Sequence, residues 1–183
     1  MTSNLSMAGL PAVRCIWLTG LSGAGKSTIA NLLQDRLGVH GLRSCVLDGD
    51  QLRTGLNRDL GYSEADRHEN VRRVAEVARL MAHAGLIAVV AVISPYREQR
   101  QLARALFADG EFLEVFVDTP LGECERRDTK GLYAKARRGE LKNFTGIDSE
   151  YQPPEAPELR LSTMSSNAHE CATVVMRRLG LRG

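Results

Sequence analysis

Short apolar runs alternate with longer stretches of helical periodicity along this chain. Five runs have the length of a strand, and they lie near residues 13–19, 43–47, 86–93, 112–117 and 159–162. Between them, apolar residues recur at the spacing of one helix face. This alternation predicts an α/β fold, a doubly wound sheet of about five parallel strands with helices on both faces.

The third apolar run indicates where the centre of the sheet lies. Every position from Leu86 to Ile93 is apolar, whereas a strand with one solvent face alternates apolar and polar residues. The run therefore predicts a strand buried on both faces. The helix before it is expected to begin at Ser63, with Asp66 in its first turn, and to end at Gly85.

Length and composition narrow the class of protein. A chain of 183 residues fits one α/β domain, so we expect a single domain over residues 1–183. The formal net charge of +2 is too slight to indicate a nucleic-acid partner. No apolar stretch reaches about 20 residues, so no membrane partner is expected. The start, Met1-Thr2-Ser3-Asn4, has no basic or apolar signal character.

The cysteines indicate a reducing compartment. Four are scattered through the chain with no C-x-x-C pair, and they are Cys15, Cys45, Cys124 and Cys171. Scattered cysteines of this kind are typical core residues of a reduced protein. We therefore expect the protein to be soluble and cytoplasmic.

A phosphate-binding motif follows the first predicted strand. It fits the pattern G-x-x-x-x-G-K-[ST] and consists of Gly20, Leu21, Ser22, Gly23, Ala24, Gly25, Lys26, Ser27 and Thr28. Glycines let backbone N–H groups turn toward phosphates, the lysine reaches the β and γ oxygens, and the hydroxyl binds Mg²⁺. An apolar helical pattern continues to Leu37 and is expected to stop at Gly38 and Gly41. The sequence therefore predicts a nucleoside triphosphate site where a strand meets a helix.

Two carboxylates are the candidates for metal and acceptor chemistry. The run at 86–93 continues into Ser94 rather than into the acidic residue that many P-loop proteins place near Mg²⁺. Asp48 and Asp50 instead follow the second predicted strand, and ligands collect at the carboxyl ends of such strands. One carboxylate can serve the metal and the other an acceptor hydroxyl. The residues leave the assignment open.

Arginines and two scarce aromatic residues indicate a second ligand. Guanidinium groups bind phosphate and sulfate oxygens bidentately, and the candidates are Arg53, Arg67, Arg97 and Arg100. Tyr62 and Phe144 lie in polar surroundings and can stack on a base, although core packing explains them equally well. The basic, glycine-punctuated segment 128–157 has the length and composition of a lid.

In this order, the motifs closely resemble those of the adenylylsulfate kinase family, which transfers the γ-phosphate of ATP to the 3′-hydroxyl of adenosine 5′-phosphosulfate. The resemblance runs from Trp17 to the last predicted helix. Its carriers are Gly20–Thr28, Asp48-Gly49-Asp50 with Arg53, Leu60-Gly61-Tyr62-Ser63, Asp66-Arg67-His68-Glu69-Asn70, Ile93-Ser94-Pro95-Tyr96-Arg97, Cys124-Glu125-Arg126-Arg127-Asp128, Lys130-Gly131-Leu132-Tyr133 and Phe144-Thr145-Gly146-Ile147-Asp148.

The resemblance implies roles around ATP. Residues 20–28 would bind it, with Lys26 on the transferred phosphate and Mg²⁺ as the cofactor at Ser27 and Asp48. Asp50 would lie beside the attacking hydroxyl, although the roles of the two aspartates can be exchanged. Arg126, with Arg127 beside it, would contact the ATP side.

The resemblance also implies roles around the second substrate. Tyr62 and Phe144 would enclose its adenine, and most relatives carry Phe at the Tyr62 position. Residues 130–144, beginning with Lys130, would close over both nucleotides. The phosphosulfate would be held by Arg53, Arg67 and Asn70.

Ser94 lies at the position of a family serine that has been interpreted as a phosphoryl carrier. Phosphoryl transfer is catalysed mainly by positioning and charge stabilisation, so no carrier is required. We therefore favour an organising role for Ser94 in the active site. The resemblance further implies a homodimer and a possible association with sulfate adenylyltransferase.

Two other interpretations remain open from the sequence. One is a gluconate or nucleoside monophosphate kinase, because one fold serves many acceptors. The other is a regulatory module that binds nucleotides without catalysis. The series of motifs argues against the first, and the presence of Lys26, Ser27, Asp48 and Asp50 argues against the second.

Overall fold

The computed structural model describes residues 12–182. Within this range five strands alternate with seven helices. In chain order they are β1 (Cys15–Thr19), α1 (Lys26–Val39), β2 (Ser44–Asp48), α2 (Gly49–Thr54), α3 (Glu64–His83), β3 (Ile87–Ala91), α4 (Arg97–Arg104), β4 (Phe112–Asp118), α5 (Leu121–Arg127), α6 (Leu132–Arg137), β5 (Leu159–Ser162) and α7 (Ala168–Arg178).

The strands form one parallel sheet in the order β2-β3-β1-β4-β5. In its register Trp17 of β1 lies opposite Val90 of β3 and Glu114 of β4. The predicted α/β class, the parallel sheet and the five strands are therefore confirmed. Because all strands run the same way, their carboxyl ends meet along one edge.

Successive residues of the central strands face opposite sides of the sheet. Ile16 and Leu18 pack into the cluster that contains α1 and α7, whereas Cys15 and Trp17 pack into the cluster that contains α3 and α4. All five residues of β3 are buried, which confirms the predicted burial of this strand, and it lies between β2 and the middle strand β1. The sheet therefore has helices on both faces, as predicted.

Several element boundaries differ from the predicted ones. Helix α1 continues through Gly38 to Val39, and the chain turns at Gly41, whose φ is 71°. Strand β3 is shorter than the apolar run because the chain turns away at Ser94, whose φ is 40°. The predicted start of α3 is confirmed, since the Ser63 hydroxyl accepts a hydrogen bond from the Asp66 backbone N–H.

Three of the cysteines are buried and Cys45 is half-buried. All four lie in the described range, and no disulfide joins them there. The sequence features at Met1–Asn4 lie outside the described residues. The expectation of a single domain over 1–183 therefore stays a prediction. Among the helices of residues 12–182, none is long and apolar enough to cross a membrane.

Candidate active site

The phosphate-binding motif forms the loop between β1 and α1 and packs closely on the sheet. A Cβ atom at Gly20 would lie 2.5 Å from the carbonyl oxygen of Val117 on β4. Gly20 also has a φ of 147°, and Gly25 has a φ of 105° at the start of α1. Both positions need glycine, since a side chain would clash at the first and strain the backbone at the second.

Lys26 is the first residue of α1, and its side chain turns back over the loop. Its ammonium donates hydrogen bonds to the carbonyl oxygens of Gly20 and Leu21, at 2.8 and 2.7 Å. Burial lowers the pKa of Lys26 to about 8, although the nearby carboxylates of Asp48 and Asp50 oppose this shift. The Lys26 ammonium thus lies beside the loop, where the oxygens of a polyphosphate can take the place of the two carbonyl oxygens as its acceptors.

Ser27, in the first turn of α1, and Asp48, at the end of β2, come together at the edge of the sheet. The Ser27 hydroxyl donates a hydrogen bond of 2.5 Å to the Asp48 Oδ2 atom. Asp48 is the last residue of β2 and also caps α2, where its other oxygen accepts from the Asp50 backbone N–H at 2.9 Å. A hydroxyl and a carboxylate are oxygen donors of the kind that Mg²⁺ prefers beside phosphates. These two residues therefore fit the metal site predicted for them.

Asp50 pairs with a residue of the predicted lid. Its carboxylate forms an ion pair with the ammonium of Lys130, just before α6. Both side chains are about half exposed, at 62% for Asp50 and 49% for Lys130. An exposed ion pair contributes little to stability. A substrate can therefore displace Lys130 from Asp50 at small cost.

The Ser94 hydroxyl is buried in a hydrogen-bond network. It accepts from Trp17 Nε1 at 3.1 Å and donates to Thr19 Oγ1 at 3.0 Å. Thr19 in turn donates to the carbonyl of Ile93, and the hydroxyl of Tyr151 lies 3.0 Å from Thr19 Oγ1. The Ser94 hydroxyl is thus engaged both as acceptor and as donor within the protein. The organising role that we favour for it stays a prediction.

A cavity of about 530 Å³ lies at the carboxyl edge of the sheet. It brings together most of the residues that the sequence assigned to the site. They are residues 22–28 of the loop, Asp50, Arg53, Tyr62, Arg67, Asn70, Ser94, Lys130 and Phe144.

Arg53 supports the ring of Tyr62. Its guanidinium carbon lies 4.5 Å from the centre of that ring, and Nη1 donates to the carbonyls of Leu60 and Gly61. The guanidinium carbon of Arg67 also lies over this ring, 5.9 Å from its centre. Tyr62 is 54% exposed, so part of the residue is accessible to a ligand at the cavity.

Arg67 joins the Tyr62 loop to the lid segment. Nε donates to the carbonyl of Tyr62 at 3.1 Å, and Nη2 donates to the carbonyl of Asn143. Burial lowers the pKa of Arg67, but an arginine stays charged at neutral pH. The buried cation therefore fixes the two segments that carry the predicted aromatic pair.

Asn70 and Phe144 complete the second half of the cavity. Asn70 Oδ1 accepts a hydrogen bond of 3.0 Å from the fully buried Asn57. Phe144 meets Tyr133 edge to face with ring centres 4.9 Å apart. Tyr133 in turn donates to the Ser22 carbonyl, so the lid segment contacts the phosphate-binding loop directly.

Two arginines that we predicted as anion ligands have other partners. Arg97 forms an exposed ion pair with Glu155. Arg100 is buried and pairs with Glu114 on β4 at 2.8 Å. Both side chains lie outside the cavity and are engaged with the protein. The physical reason is that α4 directs them toward β4 and residues 152–155 rather than toward the sheet edge.

Arg126 and Arg127 have different surroundings in the structure. Arg126 points into solvent and pairs with Glu123, so its predicted contact with ATP stays a prediction. Arg127 lines the cavity, and its guanidinium reaches the carbonyls of Gly23 and Ala24 at 3.4 Å. Other lining residues that the sequence did not single out are Thr129, Asn143, Thr163, Ser166 and Asn167.

Asn167 has a sequence signal that could have been recognised. It begins α7 with a complete capping box, in which it exchanges hydrogen bonds with Glu170. The pattern Asn-x-x-Glu before an apolar helix is typical of such a start. A helix start placed after β5 would have predicted another segment at the same edge of the sheet.

Comparisons with known proteins agree with this site. The family model described as adenylylsulphate kinase matches residues 12–162. The chain is 63% identical over 160 residues to the bifunctional enzyme NodQ of Rhizobium sp. (strain N33), which covers 87% of this chain and 24% of that protein. It is 56% identical over 166 residues to the adenylyl-sulfate kinase of Burkholderia ambifaria, which covers 91% of this chain and 92% of that protein.

A solved structure is also similar. The fold superposes with a TM-score of 0.89 on the Mycobacterium tuberculosis APS kinase CysC in complex with AMPPNP and APS. That match has 53% sequence identity and covers 93% of this chain and 99% of the other. The chain spans about a quarter of the length of the NodQ relatives and nearly all of the Burkholderia protein. With a family model over most of its length and relatives above half identity, the chain belongs to the adenylylsulphate kinase family.

Proposed function

We propose that this chain transfers the γ-phosphate of ATP to the 3′-hydroxyl of adenosine 5′-phosphosulfate. The observation that carries the proposal is that one cavity is lined both by the phosphate-binding loop and by the Tyr62, Arg67 and Phe144 set. Such a cavity suits two nucleotides placed end to end. The similar Mycobacterium protein, at 53% identity, is described with an ATP analogue and APS, which supports both substrates.

Transfer would proceed by in-line attack. The 3′-oxygen forms a bond to the γ-phosphorus while the bond from that phosphorus to the β–γ bridging oxygen breaks, and ADP leaves. Negative charge is spread over the phosphate oxygens in this transition state. Lys26 would leave the carbonyls of Gly20 and Leu21 and compensate that charge.

Asp50 is the residue we assign to the acceptor. Its exposed carboxylate can accept the hydrogen bond of the 3′-hydroxyl and orient it, once Lys130 moves to an anionic oxygen of the substrate. The proton released by the hydroxyl would pass to Asp50 and then to water. The different partners of the two carboxylates, Ser27 for Asp48 and Lys130 for Asp50, support this division of roles.

Ser27 and Asp48 are the residues that would hold Mg²⁺. When bound, Mg²⁺ neutralises charge on the phosphate oxygens of ATP. The protein offers two oxygen donors here, and the described residues contain no cluster of three acidic, histidine or cysteine ligands. A metal held partly by the nucleotide fits such a site.

The segment 128–157 would act as the lid. Lys130 already pairs with Asp50, Tyr133 donates a hydrogen bond to the phosphate-binding loop, and Phe144 lines the cavity. Closure over both nucleotides would exclude water, so that phosphate reaches the hydroxyl rather than solvent. This is the physical requirement that any kinase of this type must meet.

The wider setting of the reaction belongs to the same proposal. We expect a cytoplasmic homodimer that works in sulfate assimilation, possible partners being a second copy and sulfate adenylyltransferase. NodQ, of which the chain matches about a quarter, is called bifunctional, which supports a second enzyme working beside this domain.

The proposal is tested by turnover of the purified protein with Mg·ATP and a panel of acceptors. The panel contains adenosine 5′-phosphosulfate, AMP, CMP and gluconate, and products are identified by mass. Selective 3′-phosphorylation of the phosphosulfate is expected. Turnover of AMP, CMP or gluconate instead would indicate another kinase, and tight binding with no turnover would indicate a regulatory module.

The pKa of Lys26 predicts how ATP affinity changes with pH. In the free protein burial holds this pKa at about 8, and a bound polyphosphate raises it because the charged form gains partners. ATP binding therefore takes up a proton above pH 8, and affinity should fall by up to about tenfold per pH unit there. Phosphate groups do not produce this fall, because their own second pKa is about 6.

The measurement is the Kd of a non-hydrolysable ATP analogue between about pH 6.5 and 9.5. Lys26→Met is the control, and it should bind more weakly with a flat profile over the same range. A flat profile in the unsubstituted protein would contradict the role of Lys26.

The two aspartates are separated by isosteric substitution. Asp50→Asn should lower kcat by about 100-fold or more with little change in ATP affinity, because it removes the acceptor's proton partner. Asp48→Asn should mainly raise the Mg²⁺ concentration needed for half-maximal rate. Steady-state kinetics with Mg²⁺ titration give both values, and an exchange of the two phenotypes would reverse the assignment.

Ser94 provides a test of the carrier hypothesis. Ser94→Ala should retain measurable turnover, lowered by about 10- to 100-fold, because the Trp17 and Thr19 hydrogen bonds are lost but the phosphate acceptor remains. Ser94→Gly relieves the positive φ and controls for backbone strain. If folded Ser94→Ala has no activity and the unsubstituted protein carries phosphate on Ser94 after incubation with ATP, the serine is a carrier.

A further inference from the structure

Arg100 is a buried cation whose donors reach three separate parts of the fold. Nε donates to Glu114 Oε1 on β4 at 2.8 Å. Nη1 donates to the carbonyl of Ser94, and Nη2 donates to the carbonyl of Gln152, both at 2.7 Å. The residue is only 2% exposed and lies outside the cavity. A buried charge is tolerated only with such partners, so these bonds define where each partner lies.

The Ser94 carbonyl belongs to a strained turn. Ser94 has a φ of 40°, which a residue with a side chain adopts only where its surroundings hold it. Trp17 and Thr19 hold its hydroxyl, and Arg100 holds its carbonyl. Arg100 is therefore one of the contacts that maintain the conformation of Ser94 at the cavity.

The Gln152 carbonyl belongs to the C-terminal root of the lid segment, residues 151–153. The Gln152 backbone N–H donates to the Pro95 carbonyl at 2.8 Å, next to Ser94. The Tyr151 hydroxyl lies 3.0 Å from Thr19 Oγ1, in the same network as the Ser94 hydroxyl. The root and the Ser94 turn are thus joined at several points, and Arg100 connects them from the buried side.

Residues 143–149 form a hydrogen-bonded turn that lies between Phe144 and the lid root. The Asp148 carboxylate accepts from the backbone N–H groups of Asn143 and Phe144, at 2.7 and 2.5 Å. The Gly146 N–H donates to the Ser149 carbonyl at 2.8 Å. Because only Glu150 separates this turn from the root, we expect a shift at the root to displace the turn and Phe144 with it.

We propose that Arg100 is a positioning residue that holds the Ser94 turn and the lid root in one fixed relation, and so sets where Phe144 meets the acceptor nucleotide. The proposal rests on the function proposed above, in which Ser94 and the lid serve the reaction. Arg100 itself contacts neither nucleotide. Its loss should disturb the acceptor half of the cavity and leave the phosphate-binding loop intact, since that loop rests on β4 and α1.

The test compares Arg100→Lys with Arg104→Met. Lysine at 100 keeps the charge beside Glu114 but cannot reach both carbonyls as the planar guanidinium does. Arg104 lies one turn along α4, shares the Glu114 carboxylate at 3.1 Å and also pairs with Glu158. Arg104→Met therefore controls for loss of ion pairing in the same network, in a residue away from the reaction.

Arg100→Lys should lower kcat/KM for the phosphosulfate by about tenfold or more, since small displacements of reacting groups have effects of this size. The Kd of a non-hydrolysable ATP analogue should change less than about twofold, which equals about 0.4 kcal/mol. Arg104→Met should change neither value, even if thermal unfolding shows that both variants are less stable.

Equal kinetics in Arg100→Lys and Arg104→Met would overturn the proposal, as would a parallel loss of ATP and acceptor affinity in Arg100→Lys.

If Arg100→Lys does not fold, Tyr151→Phe tests the same connection, because it removes only the hydroxyl at Thr19 and retains the ring that stacks on Phe116. It should lower acceptor kcat/KM by about two- to fivefold with unchanged ATP affinity, and unchanged acceptor kinetics would count against the proposal. Failure of the Arg100 proposal can be distinguished from failure of the proposed function. If the proposed function were wrong, the unsubstituted protein itself would not phosphorylate the phosphosulfate.

Discussion

Close packing of the loop after β1 on strand β4 is the constraint on which the site depends. Gly20 lies so near the carbonyl of Val117 that no side chain fits between them. The loop can therefore lie flat on the sheet and begin α1 at Lys26, whose ammonium returns to the loop carbonyls. Backbone N–H groups and a buried cation are thereby presented at the sheet edge before any ligand arrives, which is the preorganisation that phosphate binding needs.

The parallel sheet then brings the other chemistry to the same edge. Strand β2 ends in Asp48, which meets Ser27 of α1, and two residues later Asp50 pairs with Lys130 of the lid segment. The turn after β3 contributes Ser94, held by Trp17 of the central strand. Because the carboxyl ends of the parallel strands share one edge, groups that follow β1, β2 and β3 lie near one another although they are far apart in sequence. The lid segment borders the cavity and is held at residues 151–153 by hydrogen bonds to Thr19, Pro95 and the buried Arg100.

Local motifs were predictable from the sequence, whereas side-chain direction was not. The loop at 20–28, the strand alternation and the start of α3 depend on short-range patterns, and the structure confirms them. Arg53 and Arg100 look alike as candidate anion ligands, but only the packing of α4 on β4 shows that Arg100 pairs with Glu114. Arg126 and Arg127 also differ in their surroundings. Neighbouring side chains on a helix point about 100° apart, and only the structure shows that Arg127 is the one that faces the cavity. The left-handed turn at Ser94 has no local signal, because tertiary hydrogen bonds hold a residue other than glycine there.

The proposed transfer requires that one cavity holds two nucleotides at once, and simultaneous binding can be measured. The measurement is calorimetric titration of adenosine 5′-phosphosulfate into the protein alone and into the protein saturated with a non-hydrolysable ATP analogue and Mg²⁺. We predict one phosphosulfate bound per chain in both titrations, so that a ternary complex forms. Loss of phosphosulfate binding in the presence of the analogue would show that the two nucleotides compete for one site and would contradict the proposed function.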